Sequence, residues 1–553
     1  MGAIEQDRRF FNLLDEPWIL VRNQLGETEE LSVFEVFEKA HTLARLDGEL
    51  PTQDVAILRF LLAIVLAVFT RVDERGSRSV LNELPEEEQR LEAIRRWKAL
   101  WDAEKLPMHV VRQYLEYYQD RFWLVHPTMP FYQVADLQTR NGEYKDASQM
   151  VTDIPSRIER RYFTLRTGKS ATELACSEAA RWLIALQAWD YAGKKAIVID
   201  SYGNRGSENG GGTGWLGKLG VLYLQDESLL KTILLNMVLL HQNEVLLPTG
   251  VPIWEEEPRT AIKITRQPAG YIELLTHQSR RVFLRLQEEK VVGVTVSYGD
   301  VFDKENTFIE QMSSWHQTSK PGSQYEMIPT THKASRSLWR DLTSLLPLAQ
   351  DESTGRALQV AGLINWAQML QYNQMSKNDM YRIVSVGIEY GTMQAVINEV
   401  INDSISINAS MLADLNEKWR MEVINSLKAT DECIRQLGTL AQRIAVASGS
   451  DGGAAEKTTA QNYAYYSFDQ VFRNWLASLD PEQDDLETKV IEWQGSVYKL
   501  ITELADDLYA TASSKSIVGR AGSGDRQIIP APVAYIRFKG AIRKILSNTK
   551  GDE

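Results

Sequence analysis

The chain has 553 residues, 44% hydrophobic and 24% charged, with a formal net charge of −13. That length exceeds one ordinary core and implies two or more domains, and the composition is that of a soluble globular protein. Two distant cysteines, Cys176 and Cys433, argue against a disulfide framework and exclude a cysteine-rich zinc site, and the overall acidity argues against a nucleic-acid binder, since phosphate contacts need clustered Lys and Arg.

Met1 to Arg9 is polar and lacks the apolar core of a signal peptide. Residues 11–21 then read Phe-Asn-Leu-Leu-Asp-Glu-Pro-Trp-Ile-Leu-Val. A short apolar element (Phe11, Leu13, Leu14) is broken at Asp15-Glu16-Pro17, where Pro17 removes a backbone donor, and a strand from Trp18 to Val21 follows. Helical periodicity runs over 52–72 and 86–103. The longest apolar run, Phe60 to Phe69, is too short to span a bilayer and is flanked by Arg59 and Arg71, so it reads as a buried helix. A helix is expected over 172–192, with Ala179, Ala180, Trp182, Leu183, Leu186 and Trp189 on one stripe and Gly193 at the C-cap position. Short strands are expected at 196–199, 219–224 and 292–297, with a buried helix over 228–240.

The character changes near residue 390. Four helical stretches can be read at 408–448, 459–479, 484–513 and 530–548, with connectors at 449–457, 480–483 and 514–529. Apolar residues recur at three and four (Leu412, Leu415, Trp419; Val490, Trp493, Val497, Leu500, Ile501, Leu504), the pattern of helices packed on one another. Tyr463, Tyr465, Tyr466 and Trp475 are assigned to that core. The expected fold is α+β, a mixed α/β domain over 1–390 followed by a four-helix bundle over 391–553.

Charge is uneven along the chain. Residues 515–550 carry eight basic side chains against one acid, giving +7, and residues 157–169 carry five against one, giving +4. A run of this kind is most often a solvated surface. Gly212, Gly214 and Gly217 satisfy G-x-G-x-x-G, but a dinucleotide site needs a strand just before and a helix just after, and Lys218 to Gln225 looks extended. No Gly-Lys-Ser/Thr closes a phosphate loop. What remains is a glycine loop whose backbone can approach something closely, as readily a passive connector as a binding loop. The seven histidines are scattered, none in a metal-ligand pair, and His126 before Pro127 reads as structural. No nucleophile motif or paired carboxylates appear, so nothing in the residues supports an enzyme, a metal or a cofactor.

The opening motif resembles the amino terminus of the CasA family, the large subunit of the type I-E CRISPR surveillance complex called Cascade. Further segments resemble that family in the same order: His126-Pro127 with Pro130-Phe131-Tyr132-Gln133, Ala179 to Leu183, Thr232 to Asn236, Pro252-Ile253-Trp254-Glu255, Leu275 to Arg281, and Trp339-Arg340-Asp341. The resemblance implies a mixed α/β domain and a carboxy-terminal four-helix bundle. It also implies a non-enzymatic, cytoplasmic role. Such a subunit recognises the protospacer-adjacent motif (PAM) of duplex DNA from the minor groove, assists opening of the duplex for guide-RNA pairing, and positions the complex for a helicase-nuclease. The implied partners are the other Cascade subunits, the guide RNA, double-stranded target DNA and the helicase-nuclease; no membrane is implied. The alternative is a structural scaffold without DNA readout.

The resemblance also assigns residues. The family's PAM loop matches Gly210, Gly211 and Gly212. Its lysine finger falls at Lys304 by one anchor and at Asn306 by strict alignment. Its glutamine wedge falls within 350–356, with Gln350 and Arg356 as candidates. The docking loop at the guide-RNA end follows Gln133; Arg160 and Arg161 lie beside its aromatic anchor, Tyr162 or Phe163. The zinc-binding members use cysteines that are absent here, so no metal is expected.

Overall fold

The computed structural model describes residues 9–152, 166–207, 210–241, 245–302, 309–317, 326–346, 358–373, 379–518 and 528–547. The chain divides into two compact units. One comprises Met1–Arg336, Asp351–Leu370 and Arg382–Ser404; the other comprises Ser337–Gln350, Gln371–Tyr381 and Ile405–Glu553.

In the first unit the opening motif lies in the core. Leu13, Leu14 and Trp18 are fully buried. Asn12 Oδ1 accepts from the Leu14 N–H at 3.0 Å, and Trp18 Nε1 donates to the Leu13 carbonyl at 2.9 Å, so the turn before Pro17 satisfies its own backbone. Strand β1 (Ile19–Asn23) pairs antiparallel with β2 (Thr28–Leu31) and β3 (Leu43–Leu46). Helix α1 (Pro51–Phe69) starts on a proline, whose missing donor is harmless in the first turn. It is the one helix among the described residues long and apolar enough to cross a membrane, and 94% of that apolar window is buried inside the protein. Its Phe60 ring meets Trp18, Phe131 and Trp254 at centroid distances of 5.9, 5.7 and 5.7 Å. Gln133 stitches this cluster to a strand: its Nε2 donates to the Leu124 carbonyl at 2.7 Å, and its Oε1 accepts from the Leu284 N–H at 2.9 Å. His126 caps its own turn, Nδ1 accepting from the N–H groups of Thr128 and Met129 at 3.1 and 3.0 Å, the structural part expected of it.

Helix α2 (Cys176–Trp189) packs against α1. Its end corrects the expectation for Gly193. The cap is Asp190 with φ −52°, and Gly193 instead exchanges hydrogen bonds with Tyr298: its N–H donates to the phenol oxygen at 3.1 Å and its carbonyl accepts from it at 2.7 Å. A side-chain anchor thus stands in for the backbone cap. The strand β4 (Val221–Gln225) runs antiparallel to a later strand, and β5 (Arg280–Gln287) forms a long antiparallel pair with β6 (Lys290–Tyr298). The strand partnering β4 is β7 (Met380–Tyr390), which in turn is flanked by β8 (Ile397–Asn408), giving the order β4-β7-β8.

The second unit is built on α3 (Glu417–Ser448), α4 (Ala454–Ala477), α5 (Leu486–Ala510), a short α6 (Ser514–Val518) and α7 (Ala531–Ser547). Helix α3 begins nine residues later than the periodicity suggested, because β8 extends to Asn408 and two short helical turns follow it. The connector at 514–529 opens with α6. Tyr463 and Tyr466 are 60% and 80% exposed, against the expectation of core positions. The core stripe of α4 is Ala460, Ala464, Phe468, Phe472 and Leu476, a spacing of four that leaves both tyrosines off it. Trp475 is half-buried, stacked on the buried Trp493 at 4.9 Å.

Candidate nucleic-acid interface

Arg280 organises the glycine loop. Standing at the start of β5 and buried, it donates through Nε to the Asp190 carboxylate, and through Nη2 to the carbonyls of Asp190, Tyr191 and Gly212 at 3.1, 3.2 and 2.9 Å. One guanidinium thus ties the end of α2 to the loop. Lys195 adds a second cation on Asp190 at 2.6 Å. Burial alone would push the Asp190 pKa up; Lys195 and Arg280 outweigh it and hold it below the usual carboxylate range. The Arg280 guanidinium also lies 4.9 Å from the centroid of the Tyr298 ring.

Gly210 rests on that ring. A Cβ added there would stand 2.0 Å from two Tyr298 ring carbons, and one added at Gly211 would stand 2.5 Å from Val301 Cγ2. Gly212 has φ +83°, a conformation that favours glycine. Gly214 donates to the Asp190 carbonyl at 2.8 Å and leaves no room for a side chain against the Ala188 carbonyl. The missing side chains are therefore used inward, to let the loop lie flat on the protein. Gly210 is exposed, Gly211 and Gly212 partly so, and the N–H groups of Gly210 to Thr213 have no hydrogen-bond partner among the described residues. Behind the loop, Leu216–Lys218 is a single 3-10 turn followed by β4. The helix that a dinucleotide fingerprint requires after Gly217 is replaced by a strand.

A second element reaches the loop from the turn between β7 and β8. Gly391 and Val396 close it with a 2.8 Å backbone bond, and its tip holds Met393 and Gln394 at φ +56° and +55°. Two consecutive non-glycine residues in the left-handed region are uncommon and strained. Met393 is 87% exposed. The Gln394 carbonyl accepts from the Ala192 N–H at 2.8 Å, and its Oε1 stands 3.4 Å from where a Cβ on Gly212 would be. Tyr390, at the foot of the turn, donates to the Trp189 carbonyl.

The base of the loop is anchored more deeply. Trp215 Nε1 donates to Glu310 at 2.8 Å, and Glu310 is paired with Arg59 of α1 through two 2.8 Å bonds. His277 packs against Phe302, with ring centroids 4.0 Å apart; burial, then the neighbouring Lys218, hold its pKa well below the usual histidine range, so it is neutral. Burial, then Arg280, lower Lys218 to about 8.

The other assigned residues are distributed as follows. Lys304 and Asn306 lie outside the described residues, but Val301, just before them, is the residue on which Gly211 rests. Gln350 and Arg356, and Arg160, Arg161, Tyr162 and Phe163, also lie outside the described residues. In the +7 region, Phe538 and Ile542 of α7 are buried while Arg537, Arg543 and Lys544 face solvent. Sequence reasoning missed Arg280, Tyr298 and the Met393-Gln394 tip. A hairpin signal was available for the tip, since Gly391 interrupts two β-rich runs.

Comparison with solved structures first gives the class: this fold is that of CRISPR-associated proteins. A crystal structure of Cse1 from Thermobifida fusca matches with a TM-score of 0.83 and 29% identity over 97% of this chain and 98% of that one. A chain of a CRISPR RNA-guided surveillance complex matches with a TM-score of 0.71 and 18% identity over 97% and 99%, which bears on the fold alone. The protein CasA/Cse1 of Thermus thermophilus is 26% identical over 453 residues, 81% of this chain and 79% of that protein. The model of the CRISPR-associated protein Cse1 family matches residues 12–504, and the chain belongs to that family, which is the CasA family of the sequence resemblance.

Proposed function

We propose that this chain is the large subunit of a type I-E CRISPR surveillance complex and a non-enzymatic reader of duplex DNA. It recognises the PAM from the minor groove, helps open the duplex for guide-RNA pairing, and positions the assembly for a helicase-nuclease. The observation that carries the reading is the meeting of two elements: the glycine loop, with its unpaired backbone donors, and the strained hairpin tip of Met393 and Gln394. Backbone donors suit the acceptor-rich floor of the minor groove, whose degenerate code fits a short motif. An exposed apolar or amide side chain on a rigid turn suits the unstacking of a base step. Beside Gln350 and Arg356 we add Gln394 as a candidate for the family's glutamine wedge, because Gln394 stands beside Gly212.

The finger, Lys304 or Asn306, follows the strand residue under Gly211. The docking loop is assigned to Arg160, Arg161, Tyr162 and Phe163, toward the guide-RNA end and the other subunits. Cys176 and Cys433 are buried and in no disulfide, which fits a reducing cytoplasm. With a net charge of −13, the chain supplies groove readout while most DNA affinity resides in the assembled complex.

The test is duplex binding by the complex assembled with and without this chain, on targets with randomised PAM positions at fixed salt. PAM-dependent binding that requires the chain upholds the reading. Gln394→Ala should then impair opening of PAM-containing duplex while sparing a pre-opened target, and Lys304→Ala should weaken the intact duplex more than the pre-opened one. The scaffold reading has one observation in its favour, the inward use of Gly210 and Gly211. It wins if the complex keeps its PAM preference without the chain.

A further inference from the structure

Among the described residues, several cations around the glycine loop are paired with carboxylates. Lys195 and Arg280 share Asp190. Arg259 and Arg281 both meet Asp300, and Arg266 meets Glu256 and Glu273. Lys218 has no carboxylate within ion-pair distance among the described residues; the charge acting on it is that of Arg280, and its neighbour His277 is neutral. It is half-buried, which is the costly place for an ammonium without a counter-charge. A second unsatisfied group lies in the same loop. Thr213 is 2% exposed, and its hydroxyl has no hydrogen-bond partner among the described residues. That hydroxyl stands 2.9 Å from where a Cβ on Gly217 would be, one residue before Lys218. Add the unpaired N–H groups of Gly210 to Thr213, and the segment 210–218 gathers donors and one cation with no acceptor for them among the described residues.

We infer that Lys218 contacts a backbone phosphate of the duplex held at the glycine loop, a contact that fixes position without reading sequence. This rests on the DNA-reading function proposed above. A phosphodiester would supply the missing counter-charge and return the amine toward its ordinary basicity. A lysine suits the task as a point charge, where the nearby arginines are already committed to carboxylates and carbonyls.

The experiment compares complexes carrying the wild-type chain, Lys218→Gln and Lys218→Arg, titrated with one PAM-containing duplex between about 50 and 200 mM salt. Each neutralised phosphate contributes about 0.9 to the slope of log K against log salt, so Lys218→Gln should lose about 3.5-fold less affinity than wild type over that range. The deficit should be equal for every PAM variant, and Lys218→Arg should restore the slope. A slope and affinity unchanged in Lys218→Gln would overturn the inference while the wild-type arm still upheld DNA reading. Loss of PAM-dependent binding by the wild-type arm itself would overturn both. A weakened hold on guide RNA instead of duplex would also overturn it. A variant-free measurement guards against misfolding: amine acylation of Lys218 in the assembled complex should slow several-fold when duplex is added, and unchanged reactivity would sink the assignment.

Discussion

Replacing Glu310 by glutamine should destabilise the first unit more than any exposed substitution near the loop. Arg59 and Glu310 are 2% and 0% exposed as side chains, and two bonds of 2.8 Å join them. Burial raises the Glu310 pKa, but Arg59 outweighs it with help from Trp215 and the Met312 N–H, so the carboxylate stays charged. Glu310→Gln keeps the shape and one acceptor while leaving a guanidinium buried without a counter-charge. Breaking such a pair costs about 3–5 kcal/mol. The retained acceptor and the bond from Arg59 Nη2 to the Leu274 carbonyl at 3.1 Å argue for the lower end. With an unfolding entropy of roughly 2 cal/mol/K per residue, about 3 kcal/mol lowers the melting point of a unit this large by roughly 4 °C. Calorimetry of the full chain resolves the change. Arg59→Met combined with Glu310→Gln should recover most of it, because the stranded charge is gone. A Glu310→Gln chain melting within a degree of wild type would refute the reasoning, and with it the claim that α1 anchors Trp215 under the loop.

Gly210→Ala should lower the melting point by an amount equivalent to about 1–3 kcal/mol, since its methyl would enter the Tyr298 ring; adding Tyr298→Ala should relieve the clash, read by the same calorimetry. Asp54 is pushed up to about 7 by burial, opposed in part by the Gly48 N–H at 2.7 Å. Its folded pKa exceeds its unfolded one, so its contribution is complete below about pH 4 and is lost as pH rises toward 7, a decline of about 4 kcal/mol. Asp54→Asn should flatten that slope in urea titrations across pH 4–8, and an unchanged slope would exclude Asp54 as its source. In the second unit Trp493→Ala should cost about 3–5 kcal/mol by urea titration, and Trp493→Phe less, since it keeps a ring in the core while losing the 3.0 Å bond to Thr430 Oγ1 and part of the ring volume.

Periodicity carried the bundle and the buried helices, because a stripe such as Phe468, Phe472 and Leu476 is written at a fixed spacing. It failed for Tyr463 and Tyr466 because residue type was taken for position; their ring chemistry fits a core, and only the phase of the helix excludes them. The Gly193 expectation failed because a local rule met a distant partner, Tyr298, more than a hundred residues away in sequence. Within the candidate site, the glycines were legible as a tract. What holds them was not, since Arg280, Asp190, Tyr298 and the hairpin tip reach the loop from four separate places in the chain. The pairing of Arg59 with Glu310 is invisible in sequence for the same reason: each reads alone as one more surface charge.

The seating of Gly210 and Gly211 also restricts the order in which this chain could change over generations. A side chain at 210 is admissible only after Tyr298 has become smaller, yet losing Tyr298 first forfeits its two bonds to Gly193 and its contact with Arg280. Position 211 stands in the same relation to Val301. Neither intermediate is neutral, so drift at the loop is blocked one step at a time, whereas Met393 projects into open solvent and can vary in a single step. As far as packing alone decides, position 393 is therefore open to change long before the glycines are.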